Sequence, residues 1–150
     1  MHDNLSKVGG MTYTDEELEF ANKIAVSLGY DKANTDVAAS IRPYQTEAKA
    51  YGSTDVGDVS FAVPTVGMGA ATWVPGTPAH SWQAVAAGGT SIGHKGMIIA
   101  AKTLALTAVD LFKDPELVKA AQSEFIERRG ADFQYIPLLG DRAPALDYRQ

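Results

Sequence analysis

Apolar residues recur with helical spacing in three segments of the chain. In TYTDEELEFANKIAVSLGY the apolar positions fall every three or four residues, and Thr14 with Glu17 forms a T-x-x-E capping pattern. In the segment 94–112 apolar residues cover more than half of the helix circumference, so we expect a mostly buried helix. The segment 115–129 starts with Asp-Pro and ends with Arg-Arg-Gly, which are helix start and stop signals. The pattern predicts helices at about 14–28, 94–112 and 115–129.

Two other segments have the alternating pattern of extended chain. In VSFAVPTVGMGAATWV apolar residues alternate from Val59 to Ala70, and FQYIPLL offers a short final strand. The stretches 31–58 and 75–93 are rich in turn formers, and we expect loop in both, with at most one short element in the first. The expected fold class is therefore α/β: a single domain over residues 1–150, with a small sheet covered by the three helices.

Composition narrows the class of protein. The 150 residues are 45% hydrophobic and 21% charged, as in globular proteins, and the net charge of −5 argues against a nucleic-acid partner. The chain has no cysteine, which excludes disulfides, thiolate metal sites and cysteine nucleophiles. The sequence starts without the apolar stretch of a signal peptide, and its longest apolar run is interrupted by Lys102. We expect a cytoplasmic protein with no membrane contact.

Two apparent catalytic motifs begin the long helix. GTSIG at 89–93 has the form of a nucleophile elbow around Ser91, but no strand precedes it and no distant histidine follows it. A helix N-cap is the better interpretation of Ser91, and a serine hydrolase is the weaker alternative. GGTSIGHK lacks the order of residues of a phosphate-binding loop, so we reject a nucleotide site. Free N–H groups beside Lys95 would still suit a carboxylate or another anion.

His80 and Asp55 are the remaining candidates. His80 lies in a proline-rich loop, where a histidine is a metal ligand, a general base or simply solvated. Asp55 and Asp58 lie in YGSTDVGDVS, where aspartates that bond their own backbone are the commoner interpretation. A catalytic zinc needs three protein ligands, and no H-E-x-x-H or H-x-D motif accompanies His80. The residues alone do not predict a metalloenzyme.

Four segments taken together change this interpretation: KVGGMTYTDEELEFANKI, GSTDVGDVSFAVPTV, PGTPAHSWQ and IGHKGMIIAAKTLALTAVDLF. In this order they resemble the C-terminal part of the catalytic domain of aminoacylase-type metalloamidohydrolases, in the p-aminobenzoyl-glutamate hydrolase branch. The resemblance implies a partial zinc-exopeptidase-like sandwich. It also implies hydrolysis of the amide bond of N-acyl amino acids or short peptides, through a water activated by two divalent ions, zinc or manganese.

The resemblance also assigns residues. His80 falls at the last metal ligand of the family, and Asp55 falls in a G-x-x-D active-site loop, so Asp55 is the implied catalytic residue and His80 the implied metal ligand. Gly76 and Trp82 would position the loop, and the start of the helix at 94–96 would face the pocket. The roles of Ser91 and His94 stay open.

The family's other motifs are absent from these residues. We therefore expect the N-terminal metal-binding half and the dimerisation domain to be missing, and this chain alone to be inactive and to bind metal weakly. The alternative is a non-catalytic binding or self-association module derived from the same family. Such a module could form a homo-oligomer.

Overall fold

The described part of the chain is helical. A computed structural model describes residues 1–46, 52, 54–147 and 149. It divides into two compact units, one formed by Met1–Ala48 and Val66–Asp114 and the other by Lys49–Thr65 and Pro115–Gln150. In chain order the helices are α1 (His2–Val8), α2 (Asp15–Ser27), α3 (Asp36–Ala39), α4 (Val56–Ala62), α5 (Trp82–Gly88), α6 (Ser91–Lys113) and α7 (Pro115–Arg129).

The expected α/β fold with a small sheet is wrong, because the described residues contain no strand. The first four residues of the first predicted strand segment, 59–62, belong to helix α4, and the rest has no regular structure. The backbone groups of α4 are bonded within the segment, as from Val63 N to Val59 O at 3.0 Å. The second predicted strand, at 133–139, has no regular structure. A strand needs a neighbour to satisfy its backbone groups, whereas a helix satisfies them alone. The predicted helices do lie at α2, α6 and α7.

Two short helices lie where we expected none. The N-terminal residues form α1, and the long loop predicted at 75–93 contains α5. Helix α5 is rich in alanine and starts at a serine cap, since Ser81 Oγ accepts a bond of 3.2 Å from Ala84 N. These signals were present in SWQAVAAG but were outweighed by the glycines and prolines around it.

Helix α2 anchors the core of the first unit. The capping pattern is confirmed: Thr14 Oγ1 accepts from Glu17 N at 3.3 Å, and Glu17 Oε2 accepts from Thr14 N at 2.7 Å. The apolar side of α2 is buried in a cluster with the start of α6 and the preceding segment. Its buried members are Met11, Ala21, Ile24, Ala25, Ala33, Ala38, Val74, Ala87 and Ile92.

Helix α6 packs on one side only. It lies against α1 and α5, and the buried Asn4 of α1 donates to Asp110 Oδ2 at 2.6 Å and to Thr107 Oγ1 at 3.3 Å. The expectation that α6 is mostly buried is wrong: large apolar residues from Met97 to Phe112 are exposed, and Phe112 keeps 90% of its surface. No helix in the described part of the chain is long and apolar enough to cross a bilayer.

The second unit is held by aromatic contacts at its surface. The Phe61 ring at the end of α4 stacks on Phe133 and Tyr135 at centroid distances of 5.5 and 6.1 Å. The Arg129 guanidinium lies 4.5 Å from the centroid of Phe125, and its Nη1 donates to Phe61 O at 3.1 Å. No residue described in this unit is buried, so these contacts and the backbone bonds carry its local order.

Gly96 allows α6 to approach the segment before α5. A Cβ at this buried position would lie 2.2 Å from the carbonyl oxygen of Ala71, well inside van der Waals contact. Because that oxygen belongs to the backbone, the helix and the segment would have to separate to accept any side chain.

We expect Gly96→Ala to lower the free energy of unfolding by about 2 kcal/mol, measured by urea denaturation. Helix propensity alone predicts the opposite sign, a gain of up to about 1 kcal/mol. Gly89→Ala is the matched control, because nothing lies within 4 Å of its Cβ position. A stabilised Gly96→Ala variant would contradict the close approach.

Candidate functional site

The loop before α5 holds His80 in a defined backbone conformation. Gly76 turns the chain with φ of 89°, and its Cβ position lies 3.1 Å from the ring of Tyr30. Ser81 Oγ donates to Pro78 O at 2.7 Å, in addition to capping α5. Between these turns His80 has φ of 59°, the single positive value among the described residues other than glycine. Its imidazole is exposed, which leaves both ring nitrogens accessible.

A shallow depression of about 460 Å³ lies beside His80 in the first unit. Its apolar lining includes Trp73, Trp82 and Val85, which keep 37%, 62% and 79% of their surface exposed. The polar edge consists of His80 and Ser81. The depression is therefore a shallow apolar surface with an imidazole and a hydroxyl at its rim.

Asp55 belongs to the second unit and is described by itself. It is exposed at the N-cap position of α4, and its side chain makes no capping bond. The neighbouring Asp58 accepts a short hydrogen bond from the Tyr135 hydroxyl. Asp55 therefore precedes a helix, whereas the sequence analysis expected a strand after it.

A buried carboxylate joins the N-termini of α2 and α6. Glu17 has only 6% of its side chain exposed, and its Oε2 accepts from Lys95 Nζ at 2.5 Å. Its Oε1 accepts from Ser91 Oγ at 2.6 Å. Lys95 Nζ also donates to the carbonyl oxygen of Thr12 at 3.0 Å. With the bond from Thr14 N, this carboxylate has three strong donors.

These donors outweigh burial in setting the ionisation of Glu17. Desolvation raises its pKa, but the bonds from Lys95, Ser91 and Thr14 lower it to about 2. The same carboxylate, together with burial, raises the pKa of the Tyr13 phenol to about 12. Glu17 is therefore ionised throughout the physiological range.

The contacts of Glu17 bear on two predictions about the start of α6, the role of Ser91 and the anion site beside Lys95. The helix N-cap is Thr90, and Ser91 is the first helical residue. The Ser91 hydroxyl faces a carboxylate whose low pKa makes it a poor base, which argues against Ser91 as a nucleophile. Lys95 is already paired with Glu17, so its charge does not serve the anion site predicted there.

Comparison with known proteins supplies a relative. The chain is 37% identical to the B subunit of p-aminobenzoyl-glutamate hydrolase from Escherichia coli (strain K12), in an alignment 148 positions long that includes 83% of this chain. The chain belongs to the p-aminobenzoyl-glutamate hydrolase family. This confirms the resemblance carried by the four sequence motifs. The alignment covers 31% of the relative, so the chain spans about a third of its length. No protein-family model and no solved structure matches the chain.

The metal centre implied by the family resemblance needs more donors than the described chain brings together. Among the residues described, no group of three or more histidine, aspartate or glutamate side chains is arranged to hold a metal ion. His80 and Asp55 lie in different units, and each offers one exposed donor. One donor does not hold a catalytic zinc, so the described residues do not fit a complete centre.

Sequence reasoning missed two features of this region. It gave Trp82 only a role in positioning the loop and gave Trp73 none, although both indoles line the depression beside His80. The two are the sole tryptophans of the chain, nine positions apart around the histidine, and that spacing was the available signal. The Glu17–Lys95 pair joins residues 78 positions apart, and nothing local predicts it.

Glu17 should make the stability of the fold depend on acid. Since its pKa falls from 4.5 to about 2 on folding, its contribution is present above pH 4.5 and is lost as the pH falls towards 2. We expect Glu17→Gln to lower the free energy of unfolding by about 2–3 kcal/mol at neutral pH. In this variant the free energy of unfolding should also depend less on pH between 4.5 and 2. The measurement is urea denaturation over this pH range.

Glu19→Gln is the control on the same helix. Glu19 pairs with Lys23 at 2.6 Å, but both side chains are largely exposed, so the pair contributes little. Equal acid dependence in the two variants would show that the buried carboxylate has no special role.

Proposed function

We propose that this chain is part of an amidohydrolase that cleaves the amide bond of N-acyl amino acids of the aminobenzoyl type. The observation that carries the proposal is the identity of 37% to a p-aminobenzoyl-glutamate hydrolase subunit. In this proposal two divalent ions, zinc or manganese, would supply a water of lowered pKa as the nucleophile. The described residues do not complete a site for these ions, so the chain's own contribution is confined to single groups.

His80 would give one metal ligand in the assembled enzyme. Its backbone is held between a glycine turn and the cap of α5, so the position from which the exposed imidazole projects is set before any ion binds. A ligand oriented in advance loses little entropy on binding. The exposed apolar surface beside it supports a site that accepts an organic substrate at the same place.

Asp55 would act near the substrate, since its carboxylate is exposed and makes no capping bond with α4. The general base and the other metal ligands would come from a partner polypeptide, such as the rest of a catalytic domain or a second subunit. The name of the relative, which is a subunit, supports such a partner. By itself the 150-residue chain would then be inactive and hold metal weakly.

A chimera tests this proposal. This chain would replace the aligned segment of the E. coli subunit, and hydrolysis of p-aminobenzoyl-glutamate and bound metal would both be measured. We expect the chimera to be active and His80→Ala to reduce metal content and activity at least about 100-fold, the scale of losing an essential catalytic group.

His2→Ala is the control, since His2 lies in α1 and contacts Tyr44. Near-normal turnover of the His80→Ala chimera would contradict the role of His80. Hydrolysis by the isolated 150-residue chain would contradict the need for a partner.

The exposed face of α6 favours a second candidate function, a self-association module. Met97, Ala101, Leu104, Ala108 and Leu111 follow a four-three spacing, and all of them are exposed. Around the helix, Ala101 lies roughly 160° and Leu111 roughly 80° from the buried Thr103, so the stripe runs beside the side of α6 that contacts α1. It runs for about 21 Å.

A second copy of the chain is the occupant that fits this stripe. Small and large residues alternate along it, so an antiparallel pair would set Ala101 against Leu111 and Leu104 against Ala108 without voids. A parallel pair would set alanine against alanine and leave gaps. The flanking positions 98, 100, 105, 107 and 112 carry no charge, so no like charges would oppose the pairing of two stripes.

We expect the isolated chain to dimerise at micromolar concentration, measured by sedimentation equilibrium. Leu104→Lys should make it monomeric, whereas Val118→Lys, an equally exposed site on α7, should not. Because the chain has no cysteine, Ala105→Cys should cross-link two antiparallel copies near the two-fold axis, and Ala108→Cys should cross-link only a parallel pair. A monomer at high concentration would exclude this second function.

A further inference from the structure

We propose that Trp73 and Trp82 form a stacking subsite for the aromatic ring of the substrate's acyl group. The proposal rests on the amidohydrolase function proposed above and assigns the depression beside His80 to one part of the substrate. Nothing in the fold requires two indoles at this place, since both keep a large exposed area while the core lies elsewhere.

The two indole rings lie at opposite ends of one face of α5. Trp82, Val85 and Gly88 are three residues apart and therefore lie on the same side of this helix. The Trp73 indole Nε1 lies 4.0 Å from the Cβ position of Gly88, so Trp73 covers the end of the face that Trp82 begins. The exposed Val85 lies between them as an apolar floor.

The two indoles are carried on a rigid backbone. Trp73 precedes Val74, which is 1% exposed, and Trp82 precedes the buried Gln83 and Ala84. Gln83 Nε2 also reaches Ser27 Oγ of α2 at 3.4 Å. The core thereby fixes the backbone positions from which the two rings project, which lowers the entropy cost of bringing them together around a flat ligand.

The chemistry of the depression favours an aryl-acyl group over an aliphatic one. Aromatic pairs gain about 0.5–1.5 kcal/mol beyond the burial of their area, and an aliphatic acyl group gains no such term. A volume of about 460 Å³ accommodates one ring and its amide. With the ring on Val85 between the indoles, the amide would point to the polar rim formed by His80 and Ser81.

Tryptophan fluorescence tests the subsite directly, because the chain's two tryptophans both line it. The isolated chain would be titrated with p-aminobenzoyl-glutamate and, separately, with N-acetylglutamate, which lacks the ring. The ligand also absorbs in the indole band, so excitation at its red edge in a short-path cell is combined with an inner-filter correction from free N-acetyltryptophanamide at each ligand concentration. We expect saturable quenching by the aromatic compound alone, with a Kd on the order of 1 mM.

Trp82→Ala should weaken this binding about tenfold. Binding to this variant is measured from the fluorescence of the remaining Trp73. Tyr44→Ala is the matched control, an equally exposed aromatic residue outside the depression. Far-UV circular dichroism shows whether α5 is retained. Equal quenching by both compounds, no quenching by either, or unchanged affinity in Trp82→Ala would overturn the subsite.

The active chimera separates this proposal from the proposed function. There Trp82→Ala should raise KM about tenfold and change kcat little, in contrast with His80→Ala. An active chimera with unchanged KM would reject the subsite and keep the hydrolase. An inactive chimera whose isolated chain still binds the aromatic compound through Trp82 would reject the hydrolase and keep the subsite.

Discussion

The buried Glu17 carboxylate is the interaction on which the first unit depends. It closes the capping box of α2 and at the same time accepts from Ser91 and Lys95 at the start of α6. An ion in this position is tolerated only because its donors replace water almost completely. The arrangement sets the start of α6 against the start of α2, and the apolar core fills the space behind them.

The same interaction limits what the start of α6 can do. Ser91, Lys95 and the first turn resemble catalytic and anion-binding motifs in the sequence, yet their polar groups face Glu17. In the proposed function, the chemistry of this unit would lie near the start of α5, where His80 and the two indoles are exposed. Lys95 of the structural ion pair and the proposed ligand surface would then be separated within one short segment, residues 73–95.

Features set by local interactions, such as the starts of helices, were predicted correctly from the sequence. Thr14 with Glu17 marked the start of α2, and Asp114 with Pro115 marked that of α7, because caps act within a few residues. Prediction from the sequence failed where distant contacts decide. Val59, Phe61 and Val63 alternate like a strand, but no described strand pairs with them, and Phe61 stacks on Phe133 instead. Lys95 looked free because its partner lies 78 residues earlier. For the candidate site, His80 followed from motif resemblance. The placement of Trp73 and Trp82 in one depression was recognised only in the fold, although their spacing around His80 was a signal in the sequence.

At residue 80, the residue type that would best stabilise the turn differs from the one that the proposed site uses. A left-handed backbone costs an L-amino acid with a side chain about 1 kcal/mol or more, and glycine nothing. With φ of 59°, the turn would therefore be more stable if glycine stood there. The chain instead keeps an imidazole that is exposed to solvent and adds no buried contact to the core. Selection for thermostability on this loop alone would favour glycine at position 80 and would remove the side chain that the proposed function assigns to metal binding.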